Sequence, residues 1–342
     1  MAENVDVIIT EVALRDGSHA VAHQFTVEQV TAVARALNEA KVPYIEVSHG
    51  DGLGGSTLQY GLSKVNQFEL IKAAVDVCDY SKISVLLLPG IGTVEDLEKA
   101  HALGAKMVRV ATHVTEADIS KQHIEYAKNL GMEVVGFLMM AHMASVEKVV
   151  EQAKLMESYG ADIVYVTDSA GAMVPAQVTD KIKALKAALH IEVGFHAHNN
   201  LGLAMGNTLA AIEAGATRID GSIRALGAGA GNTQTEVLCA TLEKIGVKTG
   251  INLYKMMDTA EDIVAPIMHG PQEITKDSLT LGFAGVYSSF RLHAQRAGEK
   301  FGLDPREILI ELGNRKVVGG QEDMIADVAA EIAAKKKQTT AI

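Results

Sequence analysis

Short runs of β-branched and aliphatic residues alternate with longer segments of helical period along most of the chain. This alternation is typical of repeated βα units that build a parallel sheet. The predicted strands are Val7–Val12, Tyr44–Val47, Ile83–Leu88, Met107–Ala111, Glu133–Met139, Ile163–Val166, Glu192–Phe195 and Arg218–Ile223. Eight units within about 245 residues favour an α/β fold of the closed (β/α)8 TIM-barrel type over an open sheet with two extra strands.

The segments between these strands carry apolar residues at helical spacing, for instance in Val27–Ala40, Val94–Ala102, Val146–Tyr159 and Ala176–Ala188. A glycine follows several of the helical segments, at Gly104, Gly131, Gly160 and Gly215. Because glycine readily adopts the left-handed conformation that ends many helices, these positions predict helix C-termini.

The βα rhythm stops near Gly250, and only helical patterns follow, in Leu253–Val264, Ser288–Phe301, Arg306–Leu312 and Gln321–Lys336. The sequence therefore predicts a catalytic barrel over residues 1–250 and a helical C-terminal domain over residues 251–342. The apolar face of the last helix fits packing on the barrel and packing on another subunit equally well.

Composition narrows the possible functions. Of the 342 residues, 48% are hydrophobic and 21% are charged, as in ordinary globular proteins. The net charge of −11 comes without a basic cluster other than Lys335–Lys337, so nucleic acid is not an expected partner. Cys78 and Cys239 form no Cys-x-x-Cys motif and are interpreted as reduced thiols in predicted helices. The N-terminus Met1–Asp6 lacks a signal-peptide pattern and no apolar run approaches about 18 residues, which predicts a cytoplasmic protein without a membrane span.

Side chains suited to catalysis or metal binding follow seven of the eight predicted strands. In a TIM barrel these positions meet at one face, where active sites are built. They are Arg15, Asp16 and His19; His49–Gly52; Thr112 and His113; His142; Asp168 and Ser169; His196 and His198; and the loop Gly227–Asn232.

A metal site is the first chemistry that these residues predict. His196-Ala197-His198 places two imidazoles on the same side of a strand end, and Asp16 adds a carboxylate. Two nitrogens and one carboxylate with open positions suit Mn²⁺, Fe²⁺, Co²⁺ or Zn²⁺. Amidohydrolases also use His-x-His in a barrel, but there the motif lies on the first strand, whereas here it lies on the seventh.

Arg15 and His19 are the candidates for chemistry beside that metal. Arg15 cannot be neutralised and can stabilise a developing oxyanion, or it can simply pair with Glu46 at the end of the second strand. His19 is the favoured general base, with His23 and His49 as rivals. The loop Gly227–Asn232 could cradle a phosphate, but it lacks a following Lys-Ser/Thr, so a crossing of the barrel mouth is favoured.

Taken together, these residues resemble the 4-hydroxy-2-oxovalerate aldolases, within a wider group of barrel metallolyases that share an Asp-Arg-Glu set. The resemblance covers almost the whole chain. The motifs that carry it are Leu14–Gly17 with His19, Ser48–Gly55, Lys121–Tyr126, Gly136–Met143, His196–His198, Gly227–Asn232 and Ala284–Phe290.

The resemblance implies a divalent-metal aldolase that cleaves 4-hydroxy-2-oxo acids to pyruvate and an aldehyde, with Mn²⁺ preferred and Co²⁺ or Mg²⁺ as other possibilities. It implies that Asp16, His196 and His198 bind the metal, and that His19, Arg15, Tyr287 and Glu46 are catalytic. Substrate contacts are implied for Arg15, Ser169, His196 and Tyr287. An acylating aldehyde dehydrogenase is implied as the partner that receives the aldehyde through a channel, with the C-terminal helices at the contact.

Three departures from the family pattern put the aldehyde size in question: Glu11-Val12-Ala13, Asn199 and Arg224. Two other functions remain open. A Claisen-type synthase that joins acetyl-CoA to a 2-oxo acid shares Arg15, Asp16 and the two histidines, although the segment around Tyr287 favours the aldolase. A non-catalytic scaffold for the dehydrogenase would not need an intact set of metal ligands and base.

Overall fold

The computed structural model describes residues 5–288 and 290–340, with side chains as far as Gln338. Within these residues eight parallel strands close into a barrel in sequence order, with β1 paired to both β2 and β8. The strands are β1 Ile8–Glu11, β2 Tyr44–Glu46, β3 Lys82–Leu87, β4 Met107–His113, β5 Glu133–Met139, β6 Ile163–Asp168, β7 Glu192–Ala197 and β8 Arg218–Gly221. The TIM-barrel prediction is confirmed. Met1–Asn4 and Ser289 of the sequence motifs lie outside the described residues.

Four strand ends differ from the prediction in ways that matter for the site. β7 continues to Ala197, β6 to Asp168 and β4 to His113, so His196, Asp168, Thr112 and His113 belong to strands and not to the loops after them. The cause is the register, which pairs Thr167 with His196 and Asp168 with Ala197. β8 ends at Gly221, because residues 223–225 form a 3-10 turn.

Eight helices flank the barrel strands: α1 Val27–Glu39, α2 Gln67–Val77, α3 Val94–Leu103, α4 Lys121–Asn129, α5 Val146–Ser158, α6 Pro175–Ala188, α7 Ala204–Glu213 and α8 Thr235–Lys244. Thr26 and Thr93 begin α1 and α3 with reciprocal capping boxes, which satisfy backbone donors that have no partner in the first turn. Gly104, with φ 114°, ends α3 as predicted. Cys78 lies just after α2 rather than within it, because its backbone is already extended.

The inside of the barrel is filled from several strands. Buried Tyr44, Met107, Phe137, Ile163 and Tyr165 form a cluster separate from the larger core between strands and helices. A Cβ on Gly194 would stand 2.3 Å from Tyr165 Cε2, so only glycine admits the tyrosine ring there. This filled interior supports the polar residues at the strand ends.

The chain continues with α9 Leu253–Asp258, a π-helical turn Thr259–Val264, α10 Lys276–Ala284, α11 Phe290–Phe301, α12 Pro305–Asn314 and α13 Asp323–Thr340. Met256, Ala260 and Val264 pack into the barrel core. Helices α10 to α13 build a second core around Leu281, Phe290 and Leu312. The sequence analysis did not predict α10. Its apolar residues do not form a clear helical stripe, because Gly282 and the exposed Phe283 lie among them.

Candidate active site

A 3-10 turn over Asp16–His19 follows β1 and brings Arg15 and Asp16 to the mouth of the barrel. Arg15 Nε donates to Glu46 Oε2 at 2.7 Å, and its Nη1 donates to Asp16 Oδ2 at 3.0 Å. Burial opposes the charge of Arg15, but Glu46 and Asp16 hold its pKa above the usual value. Nη2 of Arg15 is buried and has no acceptor among the described residues. One donor of this fixed cation is therefore available to an oxyanion inside the site.

Asp16, His196 and His198 converge, as the sequence predicted. Their ligand atoms lie within 4.8 Å of one another, and all three residues are buried. His196 Nε2 stands 3.4 Å and His198 Nε2 3.6 Å from Asp16 Oδ2, and the two Nε2 atoms are 3.2 Å apart. Burial works against ionisation of Asp16, yet Arg15 and the histidines keep the pKa of this carboxyl well below its usual range.

The hydrogen bonds of the two imidazoles indicate where their protons lie. Nδ1 of His196 donates to Asp220 Oδ2 at 2.7 Å, and Nδ1 of His198 faces the carbonyl of Ala228 at 3.4 Å. In these tautomers each Nε2 keeps a lone pair near the carboxylate of Asp16, and Nε2 of His196 also faces Asn232 Nδ2 at 3.2 Å. Burial lowers the pKa of His198 to about 4, which keeps this ring neutral, whereas the burial of His196 is outweighed by Asp16 and Asp220, which raise its pKa. A divalent cation between these groups would take the place of a proton on His196.

The residues therefore fit a divalent metal. Two nitrogens that bind one ion at about 2.1 Å stand roughly 3.0–3.4 Å apart for the ligand angles of octahedral and tetrahedral sites. The 3.2 Å between the two Nε2 atoms falls in that range. The donor set of two imidazoles and one carboxylate leaves positions open for a substrate.

A buried ion-pair network inside the barrel supports the metal cluster. The sequence analysis did not predict the two members Arg109 and Asp220. Arg109 on β4 pairs with both Glu46 and Asp220, and its guanidinium lies 4.1 Å from the centroid of the Phe137 ring. Asp220, on β8, joins the network to His196. A charged residue amid the apolar residues of β4, and another within the short β8, were the available sequence signals.

The glycine loop after β8 holds Asp16 in place through a backbone N–H group. Ala228 N donates to Asp16 Oδ1 at 3.1 Å, and Ala230 N donates to Asn200 Oδ1 at 2.9 Å. A Cβ on Gly227 would come within 1.7 Å of Asn232 Oδ1, so the loop can pass here only with glycine. The interpretation of this loop as a crossing of the barrel mouth agrees with these contacts.

Glu11 binds residues that precede and follow the same loop. Its carboxylate accepts from Ala13 N at 3.0 Å, from Ile223 N at 2.9 Å and from the Thr235 hydroxyl. Burial raises the pKa of Glu11 to about 8 despite these donors. The other two residues that depart from the family pattern bind partners outside the metal cluster, because Asn199 Oδ1 accepts from Ala204 N and Arg224 pairs with Glu261.

His23 and His49 are the alternative candidates for the general base. His19 differs from both because its ring has no hydrogen-bond partner among the described residues. His49 Nδ1 accepts from Asp51 N at 3.1 Å, so its Nε2 carries the proton and donates to Gly61 O at 3.0 Å. Burial lowers the pKa of His49, and it lowers the pKa of His23 to about 3. Of the three rings, only His19 combines a free nitrogen with a place on the cavity wall that contains Arg15 and Asp16.

One cavity of 370 Å³ brings the predicted residues together, with the exception of buried Glu46, which reaches it through Arg15. Tyr287, from the C-terminal helical part, and Ser169, after β6, both line this cavity. Burial raises the pKa of Tyr287, so the phenol remains a hydrogen-bond donor. Ser169 Oγ accepts from Met140 N at 3.0 Å, which fixes the serine at the wall.

Comparison with known proteins decides the family. A model of the HMGL-like family matches residues 6–263, and a model of the DmpG-like communication domain matches residues 272–334. A 4-hydroxy-2-oxovalerate aldolase from Geobacillus thermodenitrificans is 72% identical over 341 residues, 100% of this chain and 100% of the relative. One from Carboxydothermus hydrogenoformans is 62% identical over 338 residues, 99% of this chain and 100% of the relative. The chain belongs to the 4-hydroxy-2-oxovalerate aldolase family.

Solved structures with lower sequence identity share the fold of this chain. The N-terminal domain of a putative aldolase from Bacteroides vulgatus superposes with a TM-score of 0.73 at 24% identity, over 86% of this chain and 98% of that one. The carboxyl transferase domain of Rhizobium etli pyruvate carboxylase superposes with a TM-score of 0.80 at 15% identity, over 98% of this chain and 62% of that one. At these identities the likeness concerns the fold alone.

Among the described residues of the aldolase-family chain, no helix has the length and apolar character of a bilayer span.

We expect Asp220→Asn to weaken metal binding by about 10- to 100-fold, because an amide is a poorer acceptor for the Nδ1 proton of His196. The measurement is a Mn²⁺ titration followed by electron paramagnetic resonance. Asp162→Asn is the matched control, since Asp162 pairs with Lys128 outside the cavity. An unchanged Mn²⁺ affinity in folded Asp220→Asn enzyme would mean that Asp220 serves stability alone.

Proposed function

We propose that this chain is a divalent-metal-dependent aldolase that cleaves 4-hydroxy-2-oxo acids to pyruvate and an aldehyde. The observation that carries the proposal is the convergence of Asp16, His196 and His198 beside Arg15, in one cavity that His19 and Tyr287 also line. Membership of the 4-hydroxy-2-oxovalerate aldolase family supports the same reaction.

Asp16, His196 and His198 would hold the metal. When bound, the ion supplies Lewis-acid polarisation of the 2-oxo group. We favour Mn²⁺, with Co²⁺ or Mg²⁺ as alternatives. Two imidazoles and one carboxylate without sulfur suit Mn²⁺ and Co²⁺, whereas the hard ion Mg²⁺ would rely mainly on oxygen ligands.

In the cleavage direction, His19 accepts the proton of the C4 hydroxyl while the C3–C4 bond breaks. The electron pair of that bond moves toward C3 and the C2 oxygen, and the aldehyde carbonyl forms at C4. The free Nη2 of Arg15 donates to the C2 oxygen as its negative charge grows, so this contact is stronger in the transition state than in the substrate. Delivery to C3 of a proton equivalent to the one that His19 accepted then yields pyruvate and returns His19 to its neutral form.

The remaining residues orient the substrate and the catalytic groups. Tyr287 donates a hydrogen bond to the C4 oxygen and selects its configuration. Ser169 contacts the pyruvate portion, and His196 lies beside it as a metal ligand. Glu46 fixes the plane of Arg15 through the 2.7 Å bond to Nε.

We also propose that the chain divides into a catalytic barrel, residues 1–250, and a helical domain, residues 251–342, that contacts an acylating aldehyde dehydrogenase. The match of residues 272–334 to the DmpG-like communication domain supports this contact. Apolar side chains on α10 and α11 support it too, since Phe283 exposes 75%, Leu292 53% and Leu279 48% of their surface. Such exposure on adjacent helices is typical of a protein interface.

The test of the activity is metal removal followed by two assays on the same enzyme. Chelated enzyme is expected to lose pyruvate release from 4-hydroxy-2-oxovalerate, and added Mn²⁺ should restore it. CoA release from acetyl-CoA and a 2-oxo acid should stay at background, which separates the aldolase from a Claisen-type synthase. Full activity after thorough chelation would overturn the metal assignment, and inactivity with every divalent ion would favour a scaffold.

A further inference from the structure

Beside the metal cluster lies a second group of metal-type ligands that the reaction does not use as such. His19, His23 and Asp51 each offer one ligand atom, and these atoms lie within 4.8 Å of one another. Two imidazoles and one carboxylate are again a donor set with open coordination positions. The three residues come from the turn after β1 and the loop after β2, so the two metal-type clusters share no residue.

From this juxtaposition we infer a second, inhibitory cation site at His19, His23 and Asp51, selective for ions that bind imidazole strongly, such as Zn²⁺. An ion bound there occupies a ring nitrogen of His19 and so removes the lone pair that accepts the substrate proton. Binding itself requires only the three side chains, whereas the inhibitory consequence rests on the base role proposed for His19.

The local structure is built to hold the His23 ring in place. Ala22 and His23 adopt left-handed backbone conformations, with φ 51° and 60°, which non-glycine residues rarely do. Ser18 Oγ pairs with His23 Nδ1 at 3.0 Å, an orienting contact of the kind that metal-binding histidines use. His49 stacks on the other side, with ring centroids 3.8 Å apart.

His23 is in the protonation state that a metal ligand needs. Burial, together with the neighbouring histidines His19 and His49, outweighs a hydrogen bond to the backbone of Tyr60 and lowers the pKa of His23 to about 3, so the ring is neutral at physiological pH. Asp51 exposes 20% of its side chain, which leaves its carboxylate open to solvent ions.

Access to this group does not require passage through the metal cluster. His19, His23 and Asp51 line a second cavity of 430 Å³, which Asp16, His196 and His198 do not line. Arg291, Arg296 and Glu322 also line this cavity. The two arginines outnumber the Glu322 carboxylate and so disfavour a hard cation held by charge alone, such as Mg²⁺, which leaves an advantage to ions that form strong bonds with imidazole nitrogen.

The test measures Zn²⁺ binding by equilibrium dialysis of untagged, metal-free enzyme. Wild type should bind two equivalents, whereas His23→Gln and Asp51→Asn should weaken the second equivalent by about 10-fold or more. Asp16→Asn should weaken the other equivalent and leave the second site intact. His190→Gln, which removes an exposed histidine remote from both clusters, is the control and should match wild type. A single equivalent in wild type, or two unweakened equivalents in folded His23→Gln and Asp51→Asn, would overturn the inference.

A second, kinetic experiment tests whether an ion at His19, His23 and Asp51 inhibits the enzyme. With Mn²⁺ saturating, added Zn²⁺ should inhibit wild-type pyruvate release, and the inhibition constant should rise by about 10-fold or more in Asp51→Asn, each variant being compared with its own Zn²⁺-free rate. Equal inhibition in both would mean that Zn²⁺ displaces Mn²⁺ at Asp16, His196 and His198, which contradicts an inhibitory second site. Two-equivalent binding without any inhibition would refute the role of His19 as the base while leaving the site itself in place.

Discussion

Arg15→Lys is expected to lower kcat by about 100-fold or more, a loss comparable to that of an oxyanion-hole donor. Lysine keeps the charge, but it cannot bond Glu46 and Asp16 while also offering a third, fixed donor to the substrate. In the wild type, Nε and Nη1 of Arg15 are engaged by these carboxylates and Nη2 is free. Because the lost contact strengthens only as charge develops on the C2 oxygen, KM should change much less than kcat.

Arg218→Lys is a matched control for this substitution. Arg218, on β8, is likewise a buried arginine with two carboxylate partners, Glu133 and Glu192, but it does not line the active-site cavity. Thermal unfolding of both variants separates stability from catalysis, and only Arg15→Lys should lose turnover. If Arg15→Lys raised KM and left kcat intact, Arg15 would be a binding residue and not a stabiliser of the enolate.

The positions of Arg15, Asp16, His196 and His198 could be predicted because a parallel barrel brings all strand C-termini to one face. Periodicity and strand order were sufficient for that step. The exact strand ends were not predictable from the pattern, since register determines them. His196 therefore lies within β7, where it pairs with Thr167 on β6.

The support beneath the metal cluster could not be read from the sequence in the same way. Arg109 and Asp220 stand out as charges within apolar strands, but β4 and β8 are far apart in sequence and not adjacent in the barrel. Only side chains that reach across the interior connect them. Glu11 illustrates the same limit, because its partners Ile223 and Thr235 lie more than 200 positions later.

The position of Tyr287 at the active site could not be predicted from the periodic pattern of the sequence. No periodic pattern says that a residue beyond the barrel returns to its mouth, and the placement rested on the resemblance to the aldolase family. In the structure Tyr287 packs against Phe290, with ring centroids 5.8 Å apart, and lines the same cavity as Arg15 and Asp16. His19 lines that cavity as well, so substitutions of Tyr287 and of His19 can be compared in the same assay.

His19→Ala is expected to remove most of the rate together with the acid limb of the pH–rate profile. Wild-type activity should fall as the pH decreases, because a protonated imidazole cannot accept the C4 hydroxyl proton. His23 cannot supply that limb near neutral pH, since burial lowers its pKa to about 3. The measurement is kcat/KM for pyruvate release between acidic and mildly basic pH. An acid limb that persists in His19→Ala would place the base elsewhere, with His49 as the next candidate.

Tyr287→Phe should behave differently at the same hydroxyl. Burial raises the pKa of Tyr287, so the phenol stays protonated across the assay range and can donate a hydrogen bond but cannot act as the base. Loss of that bond leaves the base and metal ligands in place, so the variant should keep the acid limb and substantial activity. Its preference between the two C4 enantiomers should relax, because the bond that fixes the hydroxyl is gone. A variant that stays fully stereoselective would mean that Tyr287 lines the cavity without contacting the C4 oxygen, and that configuration is selected by the barrel loops alone.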